Sequence, residues 1–193
     1  VLGTTDVVAP AASSSALASD EQLLIARAQA GDPRALREIH DAYQGQVRAH
    51  LHRLLGPDSE IDDLVQVIFV RAFTAIKRFR GGSTLATWLY RITANTTSNL
   101  LRQRYRRNRL KAAVQWFNQG RRAEVQGPVL DARRQAHSLL EHLHPDLRHV
   151  FVLYHHEGLT LQEIAEILEK PISTIGDRLS RARKRLRELV ESE

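Results

Sequence analysis

Apolar residues recur at intervals of three and four along most of this chain, and that period predicts helices. The clearest run lies between residues 61 and 76 and continues for more than four turns, so one stripe of that helix should be buried. Its apolar positions are Ile61, Leu64, Val65, Ile68, Phe69, Ala72, Phe73 and Ile76. The same period returns in the last sixty residues, and the pattern as a whole predicts an all-α fold.

Turn formers and capping residues mark the ends of the first two helices. Ser19 and Gln22 form a capping box, and the helix that they open should end at Gly31. The pair Asp32-Pro33 then supplies an N-cap and a first helical residue, and Gly56-Pro57 ends that second helix.

Two further helices complete a first domain. Ser59 is expected to cap the third helix, the loop 78–83 follows it, and Thr84 opens the fourth. The inward positions of the fourth helix are Leu85, Trp88, Leu89, Ile92 and Leu100. We therefore predict a four-helix domain over residues 20–109.

The closing part of the chain has the pattern of a helix-turn-helix. Thr160 and Glu163 form a capping box for a short helix, Pro171 breaks it, and Ser173 is expected to cap a longer helix with basic outward positions. In this motif the second helix enters the major groove of DNA. A second domain is predicted over residues 132–193.

The remaining segments have no helical period. Residues 1–19 are mostly small and predict a disordered tail. Residues 110–131 contain Gly120, Gly127 and Pro128 and predict a flexible linker. Some 20 linker residues reach at most about 66 Å at about 3.3 Å per residue. The roles of the tail and of the isolated pair Trp116-Phe117 stay open. The predicted architecture is two small helical domains on a flexible linker.

The positive charge is concentrated in two places. The net charge is only +6, yet residues 102–111 contain six basic residues and no acidic one, and residues 178–187 do the same. Basic runs are often no more than solvated helix faces. Two such runs, each ending a helical domain, favour a phosphate polyanion as the partner.

Several classes of function are disfavoured. The chain has no cysteine, which excludes disulfides, thiolate metal sites and cysteine nucleophiles. No two of the nine histidines lie three or four residues apart, so a zinc clamp on one helix is absent. Asp62 and Asp63 diverge by about 100° on a helix and cannot share a substrate atom. No nucleotide-binding loop is present. We expect no catalysis, cofactor or metal.

The expected location is the cytoplasm. No apolar run approaches the roughly 18 residues of a membrane span, so membrane insertion is not expected. The first basic residue is Arg27, and the start of the chain lacks the charged region of a secretory signal.

Two stretches resemble conserved regions of bacterial sigma factors of the extracytoplasmic-function group. The second region of that group is similar to residues 62–95, DDLVQVIFVRAFTAIKRFRGGSTLATWLYRITAN. The fourth region is similar to residues 158–189, GLTLQEIAEILEKPISTIGDRLSRARKRLREL. The resemblance implies a non-catalytic factor that brings core RNA polymerase, through its β and β′ subunits, to the -35 and -10 elements of promoter DNA. It also implies control by an anti-sigma factor.

The resemblance assigns roles in the first domain. It implies contact of the acidic helix with polymerase through Asp62, Asp63, Gln66 and Arg71, although Arg71 is equally explained as part of a solvated face. It implies capture of a flipped -10 base by the loop residues Phe79, Arg80, Gly81 and Ser83, base reading by Asn95, and phosphate contacts by Arg91, Arg102, Arg104, Arg106 and Arg107. Packing in the core is the alternative for Phe79, and it is the better interpretation for Trp88.

In the second domain the resemblance assigns a set of residues to the -35 element: Ser173, Thr174, Gly176, Asp177, Arg178, Arg181 and Lys184. The chain departs from the usual family pattern at Gly176 and Asp177. A carboxylate cannot pair with phosphate, although it can accept a hydrogen bond from the amino group of cytosine.

Two other classes of function fit the sequence less well. A two-domain regulator with a helix-turn-helix would bind duplex DNA without polymerase, and the need for core enzyme distinguishes it from a sigma factor. A helical enzyme is the other class, and no acid–base or metal constellation supports it.

Overall fold

The structure, a computed structural model, describes residues 11–119 and 132–191, with side chains for 20–110 and 137–191. This part of the chain folds into helices and contains no strand, which confirms the all-α class. The α-helices are α1 (Ala11–Gln29), α2 (Pro33–Leu55), α3 (Ile61–Ala75), α4 (Leu85–Gln119), α5 (Ala132–Glu141), α6 (Pro145–His155), α7 (Leu161–Leu168) and α8 (Ile172–Glu191), with a 3-10 turn at Ile76–Arg78.

Helix α2 begins and ends where the sequence indicates. The side chain of Asp32 accepts a hydrogen bond from the backbone N–H of Arg34, and Pro33 is the first helical residue. Gly56 ends the helix with φ of 79°, a backbone conformation that side chains with a Cβ avoid. Both boundaries are fixed by residues adjacent to them in sequence, which is why the sequence predicts them.

Two predicted caps of other helices are also present. The Thr84 hydroxyl oxygen accepts the backbone N–H of Thr87 at 3.1 Å, at the start of α4. At the start of α7, Thr160 and Glu163 form a complete capping box, in which each side chain accepts a hydrogen bond from the other residue's backbone N–H. These bonds satisfy donors that the first turn of a helix leaves free.

Two predicted caps are wrong. Helix α3 starts after Glu60 without a side-chain cap, and it is Asp58, not Ser59, that accepts the Glu60 N–H, at 2.8 Å. Helix α8 starts at Ile172, so Ser173 already lies within it. Pro171 directly precedes α8, and its carbonyl oxygen accepts the backbone N–H of Ile175 at 3.2 Å.

Helices α1 and α4 are longer than predicted. Helix α1 begins at Ala11, so Ser19 lies within it and residues 11–19 do not form the predicted disordered tail; residues 1–10 lie outside the described residues. Helix α4 continues through residues 110–119, and the predicted linker keeps only residues 120–131, which are also outside the described range. Alanine-rich sequence favours the helix in the first case. In the second, no Gly or Pro interrupts the chain before Gly120.

The core of the first domain is built on the apolar stripe of α3. Ile68 is fully buried, and α2, α4 and the 3-10 turn pack around it. Leu64 and Phe73 are partly buried, and the other buried members of the stripe are Ile61, Val65, Phe69, Ala72 and Ile76. The hydrophobic periodicity of the sequence therefore predicts this packing face correctly.

The second domain contains the predicted helix-turn-helix. Helices α7 and α8 are joined by a turn in which Glu169 adopts a left-handed conformation, with φ of 53°. Pro171 follows and ends the turn. A core beneath them is formed by Val150, Leu153, Ile164, Ile167, Ile175 and Leu179. This core fixes the direction in which α8 presents its outer face.

The two domains pack directly against each other. Helix α4 contacts α6 and α7, and α2 contacts α6. Leu143 and Val152 of the second domain join the buried cluster of the first, and Ala94 of α4, which is 1% exposed, joins the cluster of the second. The apolar cores therefore continue across the interface.

A neutral histidine is buried in this interface. His149 of α6 is 3% exposed; its Nδ1 lies 3.2 Å from the Pro145 carbonyl oxygen and its Nε2 lies 3.3 Å from the Thr97 hydroxyl of α4. Burial, followed by the neighbouring positive charge at His50, lowers the pKa of His149 to about 3. Arg148 acts in the same direction, whereas Asp146 and the Pro145 carbonyl oppose it.

Replacing Gly56 with alanine should destabilise the protein by about 3 kcal/mol, because the backbone conformation is strained for alanine and the new Cβ overlaps the His137 ring of α5. The matched control is Gly31→Ala. Gly31 has φ of 86° but no atom within 4 Å of the new Cβ, so strain alone should cost about 1 kcal/mol. Urea unfolding of both variants measures the difference. Equal losses would contradict the packing of α5 against the end of α2.

Lowering the pH from 7.5 to 5.5 should reduce the free energy of unfolding. The unfolded chain binds a proton at His149 below its ordinary pKa of 6.5, whereas the folded chain does so only near 3, so stability is lost as the pH falls through that window. At pH 5.5 this loss is about 1.4 kcal/mol. In His149→Gln the same loss should be smaller by that amount, with a residual from His137 and His155, whose pKa values burial also lowers. Urea unfolding at the two pH values tests this; an unchanged pH dependence in the variant would refute it.

Candidate nucleic-acid interface

One face of α4 gathers four of the six α4 residues that the sequence assigns to the -10 element. Arg91, Asn95, Arg102 and Arg106 are spaced by four, seven and four residues, which places them within an arc of roughly 60° along about 22 Å of helix. Asn95, Arg102 and Arg106 are exposed, and Arg91 is partly exposed. We call these four residues the α4 polar face. It offers one amide and three guanidinium groups to a single partner.

Arg104 lies on the opposite side of α4 and does not join this face. Its guanidinium forms ion pairs with Asp58 and with Glu60, the latter at 2.6 Å. Although burial raises the pKa of Asp58, hydrogen bonds from the Glu60 N–H and from Arg104 leave it below the ordinary value. Arg104 therefore fastens α4 to the connection between α2 and α3, and it is only 24% exposed.

The loop between the 3-10 turn and α4 divides into a buried and an exposed part. Phe79 is 9% exposed, and its ring packs against Trp88 with centroids 5.1 Å apart. Arg80 and Gly81 are exposed, and Ser83 is half-buried. Of the two roles predicted for Phe79, the structure has the packing role, and it also places Trp88 in the core as expected.

A residue that the sequence analysis missed holds this loop in place. The side-chain amide of Gln29, near the end of α1, donates hydrogen bonds to the carbonyl oxygens of Phe79 at 2.7 Å and Ile76 at 3.2 Å. Gln29 is separated from these partners by about fifty residues, and no local pattern marks it. The exposed tip of the loop is thus supported from below by α1.

The outer face of α8 presents four of the seven residues assigned to the -35 element. Ser173, Asp177, Arg181 and Lys184 follow the helical repeat and are all exposed. We call them the α8 outer face. Gly176 borders this face, and a Cβ at that position would meet no atom within 4 Å.

The other two residues of that set, Thr174 and Arg178, turn away from the α8 outer face. Arg178 is 18% exposed and forms an ion pair with Asp146 of α6 at 3.0 Å. The sequence-based assignment requires the guanidinium of Arg178 to be exposed beside Arg181 and Lys184. In the structure it is instead paired with Asp146 and mostly buried.

The exposed side of α3 holds the residues assigned to polymerase. Asp63 and Gln66 are exposed, Asp62 is paired with Arg48 of α2, and Arg71 donates a hydrogen bond to the Thr96 hydroxyl of α4 at 3.1 Å. The exposure of these side chains agrees with either of the interpretations that the sequence left for Arg71.

Two apolar residues, which the sequence analysis did not single out, lie on the same side of α3. Val67 is 41% exposed and Val70 is 65% exposed. Both are apolar residues that lie outside the buried stripe of α3. An apolar residue at an outward position of a helix is the sequence signal that would have identified them. Exposed valines beside a carboxylate and an amide are suited to contact with another protein. We call Asp63, Gln66, Val67 and Val70 the α3 face.

A buried carboxylate connects the two domains. Glu157, in the turn before α7, is 7% exposed and accepts hydrogen bonds of 2.9 Å from His50, Arg53 and Tyr90 of the first domain. Although burial raises the pKa of Glu157, the bonds from His50, Tyr90 and Arg53 lower it to about 2. The group is therefore ionised at neutral pH. No local sequence pattern marks Glu157, because its partners lie between 67 and 107 residues away.

Two other kinds of site were searched for over the described ranges. There, no three side chains of the metal-binding types His, Cys, Asp and Glu come together in a group that could hold an ion. No helix within those ranges combines the length and hydrophobicity needed to cross a membrane.

Comparison with known proteins identifies the family. The model of sigma-70 region 2 matches residues 39–107, and that of sigma-70 region 4 matches residues 133–186. The ECF RNA polymerase sigma-E factor of Escherichia coli (strain K12) is 32% identical over 181 residues, which cover 89% of this chain and 94% of the relative. The RNA polymerase sigma-H factor of Pseudomonas aeruginosa is 33% identical over 174 residues, covering 85% and 90% respectively.

Solved structures agree with these relatives. CnrH in complex with the cytosolic domain of CnrY is similar with a TM-score of 0.65 and 26% identity, covering 90% of this chain and 98% of that chain. The sigma factor RpoE of Bartonella quintana, in complex with the anti-sigma factor NepR, is similar with a TM-score of 0.56 and 27% identity, covering 80% and 96%. The chain therefore belongs to the extracytoplasmic-function group of RNA polymerase sigma factors of the sigma-70 family.

Proposed function

We propose that this sigma factor reads the -10 element with the α4 polar face and the loop before it, and the -35 element with the α8 outer face. The observation that carries the proposal is that each domain presents one exposed polar helix face, and that both faces contain arginine or lysine. We assign residues 20–109 to the first activity and residues 132–193 to the second. Transcription initiation is the result, and any catalysis belongs to the polymerase.

At the -10 element, the α4 polar face contacts a base edge and phosphates, and the loop before α4 contacts an unstacked base. Asn95 is exposed and carries an amide that can pair with the edge of a base. Arg80, Gly81 and Ser83 offer a guanidinium, an open backbone and a hydroxyl to an unstacked base. Arg102 and Arg106 neutralise phosphates of the melted strand. Strand opening then draws its free energy from these contacts.

At the -35 element, Arg181 and Lys184 hold phosphates, and Ser173 lies at the start of the recognition helix, where base edges are contacted. Asp177 is exposed on the same face and has no counterion among the described residues. Its carboxylate favours a cytosine, whose amino group is a donor in the major groove. The departure of this chain from the usual family pattern thus contributes to its promoter preference.

Core polymerase binds the α3 face. Its exposed valines supply apolar contact area, and Asp63 and Gln66 beside them supply polar contacts. We further propose control by an anti-sigma factor and a cytoplasmic location. The support is that RpoE of Bartonella quintana was solved with the anti-sigma factor NepR, and that CnrH was solved with the cytosolic domain of CnrY.

Runoff transcription with purified core polymerase over a promoter library tests the proposed function as a whole. The expected result is initiation at a defined subset of promoters only when this chain and core polymerase are both present. Tight, specific binding of the chain alone to duplex DNA, without transcription, would favour the rival class of regulator.

Asn95→Ala should reduce transcription from the selected promoter by about tenfold, because a base-edge contact is worth about 1–3 kcal/mol. Asn108→Ala is the matched control, since Asn108 is also exposed but lies on another side of α4, away from the α4 polar face. Binding of core polymerase, measured by fluorescence anisotropy, should be unchanged in both variants. Equal losses in the two variants, or a loss of polymerase binding, would rule out base reading by Asn95.

Val70→Asp should weaken binding of core polymerase by about tenfold, because it places a charge in an apolar contact. Val190→Asp is its control: Val190 is 58% exposed, close to the 65% of Val70, and lies at the end of α8. Competition for core polymerase against a labelled wild-type chain measures both. If Val70→Asp competes as well as the control, the α3 face is not the contact surface.

A further inference from the structure

Three of the arginines assigned to promoter phosphates are occupied by groups of the second domain. The guanidinium of Arg91 donates a hydrogen bond to the backbone carbonyl of Glu166 in α7 at 2.8 Å, and its Nε lies 3.9 Å from the Glu169 carboxylate. Arg102 lies 3.7 Å from the carboxylate of Asp146 in α6. The second domain thus places oxygen atoms where phosphate oxygens are expected.

The third arginine shares its partner with the second. Asp146 pairs through one oxygen with Arg178 of α8 at 3.0 Å and through the other with Arg102 of α4. One carboxylate therefore contacts an arginine assigned to the -35 element and an arginine assigned to the -10 element. The side chain of Asp146 is 31% exposed and lies at the junction of the domains.

This arrangement is incompatible with reading both elements at once. Elements centred about 25 base pairs apart are separated by about 85 Å along straight duplex DNA, since one turn of about 10.5 base pairs rises about 36 Å. Two arginines that contact the same carboxylate cannot reach both places. The α4 polar face and α8 must separate before the promoter is bound.

The contact that holds the domains together is the Glu157 cluster. The carboxylate of Glu157 belongs to the second domain, and its three donors, His50, Arg53 and Tyr90, belong to α2 and α4 of the first. His50 is fully buried. The Glu157 side chain is 7% exposed and that of Arg53 is 39% exposed. The bond between His50 and Glu157 is therefore shielded from solvent and screened less by salt than exposed ion pairs are.

We infer that the second domain is an intramolecular competitor of promoter DNA: docked through Glu157, it covers the edge of the α4 polar face and holds Arg91 and Arg102. The inference rests on the proposed function for the identity of the competing ligand. The chain between α4 and α5, residues 120–131, reaches about 40 Å when extended, so it permits the domains to separate.

The test compares the full chain with Glu157→Gln, which keeps the size of the side chain but removes the charge. The NH₂ group of the glutamine is a hydrogen-bond donor and cannot accept the bonds that a carboxylate oxygen accepts from His50, Arg53 or Tyr90. At least one of these bonds is therefore lost. The first expected result is a larger radius of gyration by small-angle X-ray scattering. The second is about a fivefold or greater gain in affinity for a short fluorescein-labelled duplex of mixed sequence, because a larger fraction of the molecules is in the open state that binds DNA.

Glu38→Gln is the matched control. It removes the same charge from an exposed ion pair with Arg27 in the first domain, outside the α4 polar face and the α8 outer face, so it reproduces any general electrostatic gain in DNA binding without touching the interface. Tyr90→Phe is a second test variant: it removes one bond to Glu157 with no change of charge, and it should shift both measurements in the same direction by a smaller amount.

The inference is overturned if Glu157→Gln retains the wild-type radius and gains no more DNA affinity than Glu38→Gln while its helical circular dichroism is intact. Loss of that helical signal would make Tyr90→Phe the deciding variant, judged by the same two measurements. Failure of the proposed function is a separate result: the wild-type chain would direct no transcription with core polymerase, whatever the variants do.

Discussion

Helix α4 has to serve three partners with three of its sides, and this constraint shapes the whole molecule. One side packs into the first domain through Leu85 and Leu89, which are 0% and 2% exposed. A second side, with Tyr90, Ala94 and Thr97, packs against the second domain. The third is the α4 polar face. Because residues on a helix are separated by about 100°, the second and third sides are neighbours. A body that docks on one therefore restricts access to the other.

The chemistry of the interface follows from that adjacency. Guanidinium groups that hold phosphate also hold carboxylates and backbone carbonyls, so a domain that offers Asp146 and the end of α7 satisfies the same side chains. A buried carboxylate is costly unless its hydrogen bonds are made, and Glu157 receives three. Separation of the domains returns all of these groups to water, where water or DNA can replace the lost partners. The closed and open arrangements can therefore have similar free energies.

Local signals predicted much of the fold and several of its boundaries. The period of α3 identified its buried stripe, and Asp32, Gly56 and Thr160 were recognised because a cap is formed by residues close in sequence. Ser59 and Ser173 have the right chemistry for a cap, yet α3 starts after Glu60 and α8 starts after Pro171, and propensity alone does not decide between neighbouring candidates. The start of α1 was missed because Ala and Ser there form no clear apolar stripe, whereas the end of α4 does contain one, at Leu110, Ala113, Val114 and Phe117.

The candidate site was predicted as a set of residues but not as an arrangement. Spacing along α4 places Arg91, Asn95, Arg102 and Arg106 together and Arg104 on the other side, so a stricter use of the helical repeat would have separated Arg104 in advance. No such rule finds Gln29, Asp146 or Glu157, whose partners lie 32 to 107 residues away. These contacts depend on how domains pack, which a single sequence does not encode in any local pattern.

The second domain competes with promoter DNA but leaves the α3 face exposed, so the closed arrangement affects the two proposed partners differently. In the closed arrangement Val67 and Val70 are exposed, so the polymerase contact that we propose for the α3 face does not require displacement of the second domain. The promoter contacts that we propose, in contrast, use Arg91 and Arg102, which the second domain occupies. If closed molecules outnumber open ones by about ten to one, the apparent affinity of the free chain for DNA falls about tenfold. The affinity of polymerase for the α3 face is unchanged. The free chain is then kept from binding DNA unproductively. A polymerase surface that binds the second domain more tightly in the open arrangement than in the closed one lowers the free energy of opening by that difference in binding free energy. Binding of polymerase is then coupled to promoter recognition.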